Sequence, residues 1–526
     1  MKKIINISLI LVLAALSACT DLDVEPRNEA TPEVFFSEDE SYERFLARLY
    51  AGLAVTGQQG PAGNPDIKSL DEGFSSYLRQ YWQLQELPTD EAVIAWNDEG
   101  LPDLVTQTWG AGNQFVRALY SRIFFQVSLV NEFLRESTPE KIRARGVEDE
   151  IASQIPAFRA EARFLRALSY WHGIDMFGDI PFYTEEQVVG GTPPGQASRA
   201  EVFNFIVNEL AAIEGDMLEP GTAPYGRADR AAVWMLQAKL FLNGEVYTGT
   251  NDDYYTKCVE ACNKIIDAGV YSLEDNYHLN FLADNNTSNE IIFAVNFDGE
   301  RTQTFGGTTY LVHAALGGAM NAEEFGVNNG WGGLRTQPAL VDLFPDETGD
   351  IDERAIFFTQ GQNKSVESIS TFSDGYAAPK YQNITSDSII GSDLTFVDTD
   401  FPVFRFGEVH LMYAESHLRG ASNTDAGTAV TLINALRQRA YDSDAGNISA
   451  DDLTLDFILD ERARELWWEA HRRTDLIRFN QYTENGTWAW KGGVQAGQTT
   501  SGNLNLYPIP EEEIRANSNL VQNPGY

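Results

Sequence analysis

Residues Ile155–Met176 read IPAFRAEARFLRALSYWHGIDM. Phe158, Ala162, Leu165 and Leu168 recur at helical spacing and so share one face of a helix. Ala157, Ala160 and Ala167 are small enough to let a neighbouring helix approach closely, and Gly178-Asp179-Ile180-Pro181 ends the segment. A matching pattern precedes it, with Phe115, Leu119, Ile123, Val127, Val130 and Leu134 on one face. The two segments read as a helix pair.

Working outward, helical patterns cover Arg199–Ile213, Ala228–Thr248 and Tyr254–Ala268, then Val403–Leu418, Asp425–Ala440 and Leu453–Phe479. Another begins near Ser37 and carries Tyr42, Phe45, Leu46 and Leu49. They fall in pairs with short connections and recurring small residues. That arrangement suits stacked helical hairpins of the tetratricopeptide type, each pair burying its face on the next. The irregular period leaves an ordinary helical bundle open as the alternative.

Two long segments interrupt the helices. Residues 57–112 and 275–401 are rich in Gly, Asn, Asp and aromatics, with only short strand-like pieces such as Glu290–Val295. Loops of this length are functional or disordered, and their aromatic content argues against disorder. The first holds Phe74, Tyr77, Tyr81, Trp82, Trp96 and Trp109 beside Asn64, Asp66, Asp71, Arg79, Asp90, Asn97 and Asp98. The second holds Phe305, Tyr310, Phe325, Trp331, Tyr376 and Tyr381, with Arg335, Arg354 and Lys380 nearby. A sugar ring has an apolar C–H face and a hydroxyl rim, so flat aromatics with adjacent Asp, Asn and Arg suit a carbohydrate site. The opposing reading is that each tryptophan anchors its own loop. Trp82, Trp109, Trp488 and Trp490 look most like anchors. Trp96 and Trp331, flanked by small or polar residues, look most like platforms. The candidate ligand set is Trp96, Trp331, Trp82, Asp71, Asn64, Asp66, Arg354, Tyr381 and Tyr376.

The chain has 526 residues, 77 acidic against 38 basic side chains and a formal net charge of −39. Such a surface repels phosphate backbones, so nucleic acid is excluded as a natural partner. The chain carries no G-x-S-x-G elbow, no phosphate-binding G-x-x-x-x-G-K-[ST] loop and no H-E-x-x-H. None of its six histidines sits at a ligand spacing. Carboxylate pairs for glycoside hydrolysis arise by chance in so acidic a chain and carry no signal. Glu461, Glu465 and Glu469 recur every four residues with Arg462, Arg464, Arg472, Arg473 and Arg478 among them. On one helix they form ion-pair stripes beside Leu459, Ala463, Leu466 and Ala470, a structural pattern in which Arg473 and Glu469 are expected packing partners. Asp275 and Asp284, with Asn286 and Ser288, could hold calcium, but their spacing fits surface turns better. No cofactor is indicated. Cys258 and Cys262, one helical turn apart, read as small buried side chains, with a disulfide left open.

At the N-terminus, Lys2 and Lys3 precede the apolar run Ile4–Leu16, then Ser17-Ala18-Cys19. A charged start, a short apolar stretch and small residues make a secretory signal, and the cysteine at the cleavage point resembles a bacterial lipobox. The run is too short to span a bilayer, so membrane attachment is expected through acylated Cys19. A plain secretory peptide is the alternative.

Two late segments carry a family resemblance. One is FPVFRFGEVHLMYAE at Phe401–Glu415; the other is ERARELWWEAHRRTDLIRF at Glu461–Phe479. With Leu87–Ala92 (LPTDEA) and the ending Leu506–Pro510 (LYPIP) and Gln522–Tyr526 (QNPGY), they resemble the SusD/RagB family of outer-membrane glycan-binding lipoproteins. The resemblance implies a mainly α fold: a tetratricopeptide-like helical-hairpin scaffold with a large loop-rich ligand-binding subdomain. It implies a signal peptide at 1–18, a lipidated tether at 19–35 and scaffold at 36–60, 112–270 and 402–480. Glycan-binding insertions then fall at 61–111 and 271–401, and 481–526 packs on the scaffold. It also implies no catalysis, an outer-membrane surface location and delivery of oligosaccharide to a SusC-like, TonB-dependent β-barrel. Tyr81–Glu86 and Asn329–Gly333 look similar to members that handle fructans. A peptide-capturing RagB-like role and a surface glycosidase are the alternatives. The anchor is directly testable: Cys19→Ala should abolish lipid labelling and release the protein from the outer membrane or leave it unprocessed. An outer-membrane-bound Cys19→Ala protein in cell fractions overturns this.

Overall fold

A computed structural model describes residues 31–526 apart from 62, 64, 188 and 189. The expected signal peptide at 1–18, Cys19 and Asn64 lie outside the described residues. In chain order the main elements are α1 (Ser41–Ala54), α2 (Tyr77–Glu86), β1 (Ala92–Ile94), α3 (Gln114–Glu136), α4 (Ile155–Phe177), α5 (Arg199–Ile213), α6 (Arg230–Leu242) and α7 (Tyr254–Ala268). There follow β2 (Ile291–Val295), α8 (Gly307–Ala314), β3 (Leu334–Thr336), β4 (Phe401–Arg405), α9 (Phe406–Leu418), α10 (Ala426–Tyr441), α11 (Leu455–Leu466) and α12 (Arg472–Arg478). The fold is mainly α.

The scaffold helices pack in sequence: α3 on α4, α4 on α5, α6 on α7, α7 on α9, and α9 on α10 and α11. Their starts are chemically marked. The Asn113 side chain accepts the amides of Phe115 and Val116 at 3.0 and 3.2 Å, opening α3. Ser198 and Glu201 form a reciprocal capping box at α5. Cys258 and Cys262 on α7 are free, buried thiols. The C-terminal segment docks on α4, where the Tyr507 amide donates to Met176 and Asn523 Nδ2 to Phe177.

Four stretches depart from the periodicity. Ala228–Thr248 is two helices, Arg230–Leu242 and Gly244–Thr248, that meet at Asn243. Residues 61–111 read as loop, yet contain α2, all ten of whose residues are buried. Five of the ten, Arg79, Gln80, Gln83, Gln85 and Glu86, are polar and are buried with the rest, so the segment's composition reads as exposed loop. The start of Val403–Leu418 is strand β4, paired antiparallel with β2, and the helix begins only at Phe406. Leu453–Phe479 is not one helix. It breaks between α11 and α12, with Trp468 and Ala470 at φ 60° and 64°, a left-handed conformation costly for non-glycine residues. Two buried tryptophans hold the break: Trp467 Nε1 donates to Arg354 O at 3.1 Å, and the Trp468 amide donates to Glu91 at 3.1 Å.

The break also moves the acids. Glu461, Glu465 and Glu469 do not form surface stripes: all three are buried. Glu465 pairs with Arg405 at 2.6 Å, Arg354 at 3.1 Å and Arg439. Glu290 binds Arg405 and Arg439, and Glu469 binds Lys380 at 2.8 Å and Arg405 at 2.6 Å. Arg473 therefore does not pair with Glu469; it reaches Asp175 on α4 at 3.0 Å. Burial alone would raise the Glu461 carboxyl, but Arg354, Arg464 and Arg437 pull it down to about 2. The same competition, won by Arg439, Arg405 and Arg354, holds Glu465 far below the ordinary carboxylate range.

Removing one member of a buried ion cluster strands its partners without compensation, at about 3–5 kcal/mol. Glu465→Ala should lose stability on that scale in urea unfolding, while Glu38→Ala, whose pair with Arg44 is well exposed, should lose nothing measurable. Glu86 and Glu91 behave oppositely: burial raises both carboxyls, and Glu86 raises Glu91 further. The fold holds protons there that the unfolded chain releases, so stability falls as pH rises from the ordinary carboxyl value of 4.5 toward neutrality. Glu86→Gln should flatten that slope and melt above the wild type at pH above about 7. A lower melting temperature for Glu86→Gln at that pH would contradict the assignment.

Candidate functional site

The two insertions are stitched together by a short antiparallel pair. β1 pairs with β3 through Ala92 with Thr336, Val93 with Arg335 and Ile94 with Leu334. The Ala95 amide extends the ladder to Gly333 O at 2.9 Å. Trp96 thus leaves β1 where residues 331–333 lead into β3, and the two tryptophans meet. The end of α8 fixes the second strand's approach. Carbonyls of His313, Leu316 and Ala314 accept the amides of Trp331, Gly332 and Gly333 at 2.7, 2.8 and 2.8 Å. Gly333 is required by contact: a Cβ there would sit 2.8 Å from the Trp96 ring.

Trp96 and Trp331 are half-buried, with ring centroids 6.3 Å apart and planes tilted by 40°. Trp96 Nε1 donates to Trp331 O at 3.2 Å, and its ring meets Tyr310 edge-on at 5.8 Å. Phe305 stands edge-on to Trp331 at 6.3 Å and packs against Phe396 at 5.5 Å. Arg79, on α2, lies over the Tyr310 ring at 4.3 Å and near Trp96 at 5.7 Å. It donates to Gly73 O and Phe305 O, while its buried Nε has no protein partner. Beside this arc lies a cleft of about 370 Å³ lined by Asp71, Phe74, Arg79, Asp98 and Gln114. Burial pushes the Arg79 guanidinium down, opposed by Tyr310, Asp98 and Asp71. The result is a curved aromatic surface bordered by a cation and two carboxylates. It offers ring faces and hydrogen-bonding groups suited to a hydroxylated ligand.

The structure sorts the residues predicted from sequence. Trp96 and Trp331 come together, and Asp71 lines the adjoining cleft. Trp82 is a correction: it is fully buried and its Nε1 donates to Trp468 O at 2.9 Å. Tyr381 is another, buried with its hydroxyl donating to the same carbonyl at 3.1 Å. Arg354 is fully buried in the ion cluster, held by Asp352 at 2.7 Å and Glu461 at 2.8 Å. Asp66 is occupied by Arg48 and Arg122 at 2.7 and 2.6 Å, pinning the first insertion to α1 and α3. Tyr376 is buried, its carbonyl accepting the Thr336 amide at the far end of β3 and its hydroxyl donating to Glu347 at 2.6 Å. The calcium reading of Asp275 and Asp284 gains no support. Asp284 accepts the amide and hydroxyl of Ser386, and among the described residues no three His, Cys, Asp or Glu side chains converge. Sequence reasoning left out Phe396 and His313, and noted Arg79, Asp98 and Phe305 without selecting them. The missing signal was the β1–β3 pairing, which nothing local encodes.

Comparison with known proteins agrees with this architecture. The sequence pattern described as the SusD family matches residues 362–526. The chain is 34% identical to the starch-binding protein SusD of Bacteroides thetaiotaomicron, over 100% of this chain and 99% of the relative. Its fold resembles surface glycan-binding protein A of Bacteroides fluxus, with a TM-score of 0.70 and 22% identity over 93% of this chain and 100% of the other. It likewise resembles surface glycan-binding protein A of Bacteroides thetaiotaomicron in complex with laminarihexaose, with a TM-score of 0.69 and 20% identity over 92% and 99%. The full-length identity settles the relationship: the chain belongs to the SusD family.

Proposed function

We propose that the protein is a surface glycan-binding protein that holds its ligand on the Trp96–Trp331 arc, with Asp71 and Asp98 gripping hydroxyls and buried Arg79 holding Tyr310 and Phe305 in place. Its family binds glycans without catalysis. The observation that carries the site is the tilt: rings set at 40° offer a curved face, which suits a coiled chain better than a flat ribbon. An α-glucan coils in that way, and the full-length relative is a starch-binding protein. We therefore assign a starch-like glucan as ligand. The fructan expectation is the second reading. It rested partly on Tyr81–Glu86, all of it buried in α2, which leaves only Asn329–Gly333 to support it. Delivery to a SusC-like β-barrel and anchoring through Cys19 complete the proposal. No helix of the described residues is long and apolar enough to cross a membrane, so a lipid is the attachment the sequence offers.

Calorimetry with maltoheptaose and an inulin-type fructan separates the two ligands. Trp331→Ala and Trp96→Ala should each weaken binding about tenfold, the loss of one aromatic hot spot. Trp82→Ala should instead cost stability, about 3–5 kcal/mol for a core aromatic. Unchanged affinity in both platform variants overturns the site, and reducing ends released from the glycan by purified protein overturn binding without hydrolysis.

A further inference from the structure

His313 occupies the last turn of α8 and is fully buried. Its imidazole lies face to face on the Trp331 indole, centroids 4.6 Å apart and planes within 17°. Nδ1 is 2.7 Å from Asn329 O, and Nε2 is 2.9 Å from Thr395 O. A carbonyl oxygen can only accept, and a neutral imidazole carries one N–H. In either neutral tautomer, one ring nitrogen therefore sets its lone pair against a carbonyl lone pair. Turning the ring over would place carbons at both positions and lose both bonds. Only the imidazolium donates at both ends.

Both tethers lead to the aromatic arc. Asn329 lies two residues before Trp331. Thr395 adjoins Phe396, whose ring supports Phe305, which in turn edges Trp331. We propose that His313 is a positioning residue for Trp331: its protonated form clamps the 329–331 turn and the 395–396 segment to α8, and so raises glycan affinity. This rests on the reading of Trp331 as a glycan platform.

The surroundings tolerate the charge. The helix end presents carbonyls and a negative dipole, and the indole face attracts a cation. On its own helix the nearest titratable group is Tyr310, with Arg79 over its ring. The 328–333 segment brings no ionisable side chain. The 392–398 segment brings Asp393, which accepts the amides of Thr395 and Phe396, and Asp398, which accepts those of Ser392 and Gly299. Burial holds His313 below the ordinary imidazole value of 6.5, and the hydrogen bonds to the Asn329 and Thr395 carbonyls and to the Asn329 side chain offset that only in part. The clamp therefore closes on the acid side of 6.5, and ligand binding draws a proton onto the ring.

The test is maltoheptaose calorimetry on the full chain between about pH 5 and pH 8, in buffers of differing ionisation enthalpy. Affinity should rise roughly 5-fold toward the acid end, the low end of site-to-site coupling, with proton uptake on binding. Glu86, Glu91 and Asp400 are also raised by burial, so the slope is read as wild type minus His313→Gln. His313→Gln, which lacks the second donor, should keep only the residual slope of those carboxyls and match the wild type at the alkaline end. A second arm needs no ligand. An imidazolium stacked on indole quenches its fluorescence, so the emission lost in Trp331→Phe should titrate in the wild type and not in His313→Gln. A wild-type profile no steeper than that of His313→Gln, or Trp331 emission that does not titrate, overturns the proposal. If maltoheptaose binds at no pH, the starch reading fails, and the fluorescence arm decides on His313. If His313→Gln does not fold, wild-type proton uptake and fluorescence decide.

Discussion

The carboxylate of Glu465 is the constraint around which the molecule closes. It has no exposed surface, and three guanidinium groups meet it from different parts of the chain: Arg354 from the second insertion, Arg405 from the end of β4 and Arg439 from α10. Taking such ions out of water costs several kcal/mol each, and their attraction offsets that only when every partner is in place. The cluster is therefore better understood as a device for agreement than as a source of net stability. A scaffold without its insertion would leave Glu465 short of a partner. An insertion without the scaffold would leave Arg354 facing no anion but Asp352.

The break between α11 and α12 extends the same logic to the first insertion. The carbonyl of Trp468 accepts from both Trp82 on α2 and Tyr381 in the second insertion. One backbone oxygen thus holds residues that lie hundreds of positions apart in sequence. The left-handed backbone at Trp468 is the local cost of turning that carbonyl inward while burying two indoles in a row.

Helices whose ends are chemically marked were legible in the sequence. Arg199–Ile213 and Tyr254–Ala268 hold to the residue, because Ser198 caps one and Gly269, at φ 63°, stops the other. Elements defined by tertiary burial were not. α2 hides behind its five polar residues, all of them buried, and the acids of α11 read as ion-pair stripes along one helix because periodicity cannot say that a partner charge arrives from residue 354 or 405. The site divides along the same line. Trp96 and Trp331 stood out because glycine and polar neighbours surround them, and the structure brings them together. Trp82, Tyr381 and Arg354 have equally suggestive residue types, yet they point inward. Loop composition identifies material fit for a binding surface, but which side faces solvent depends on contacts far away in the chain.

The indole bond from Trp96 to Trp331 joins residues 235 positions apart. Neither insertion alone contains a platform, and closing so long a loop is worthwhile only after the intervening helices have compacted the chain. The proposed binding surface is consequently among the last features such a chain can acquire. Ligand affinity on that arc would then be a certificate of completed folding: a molecule that holds its ligand there has already brought both insertions home.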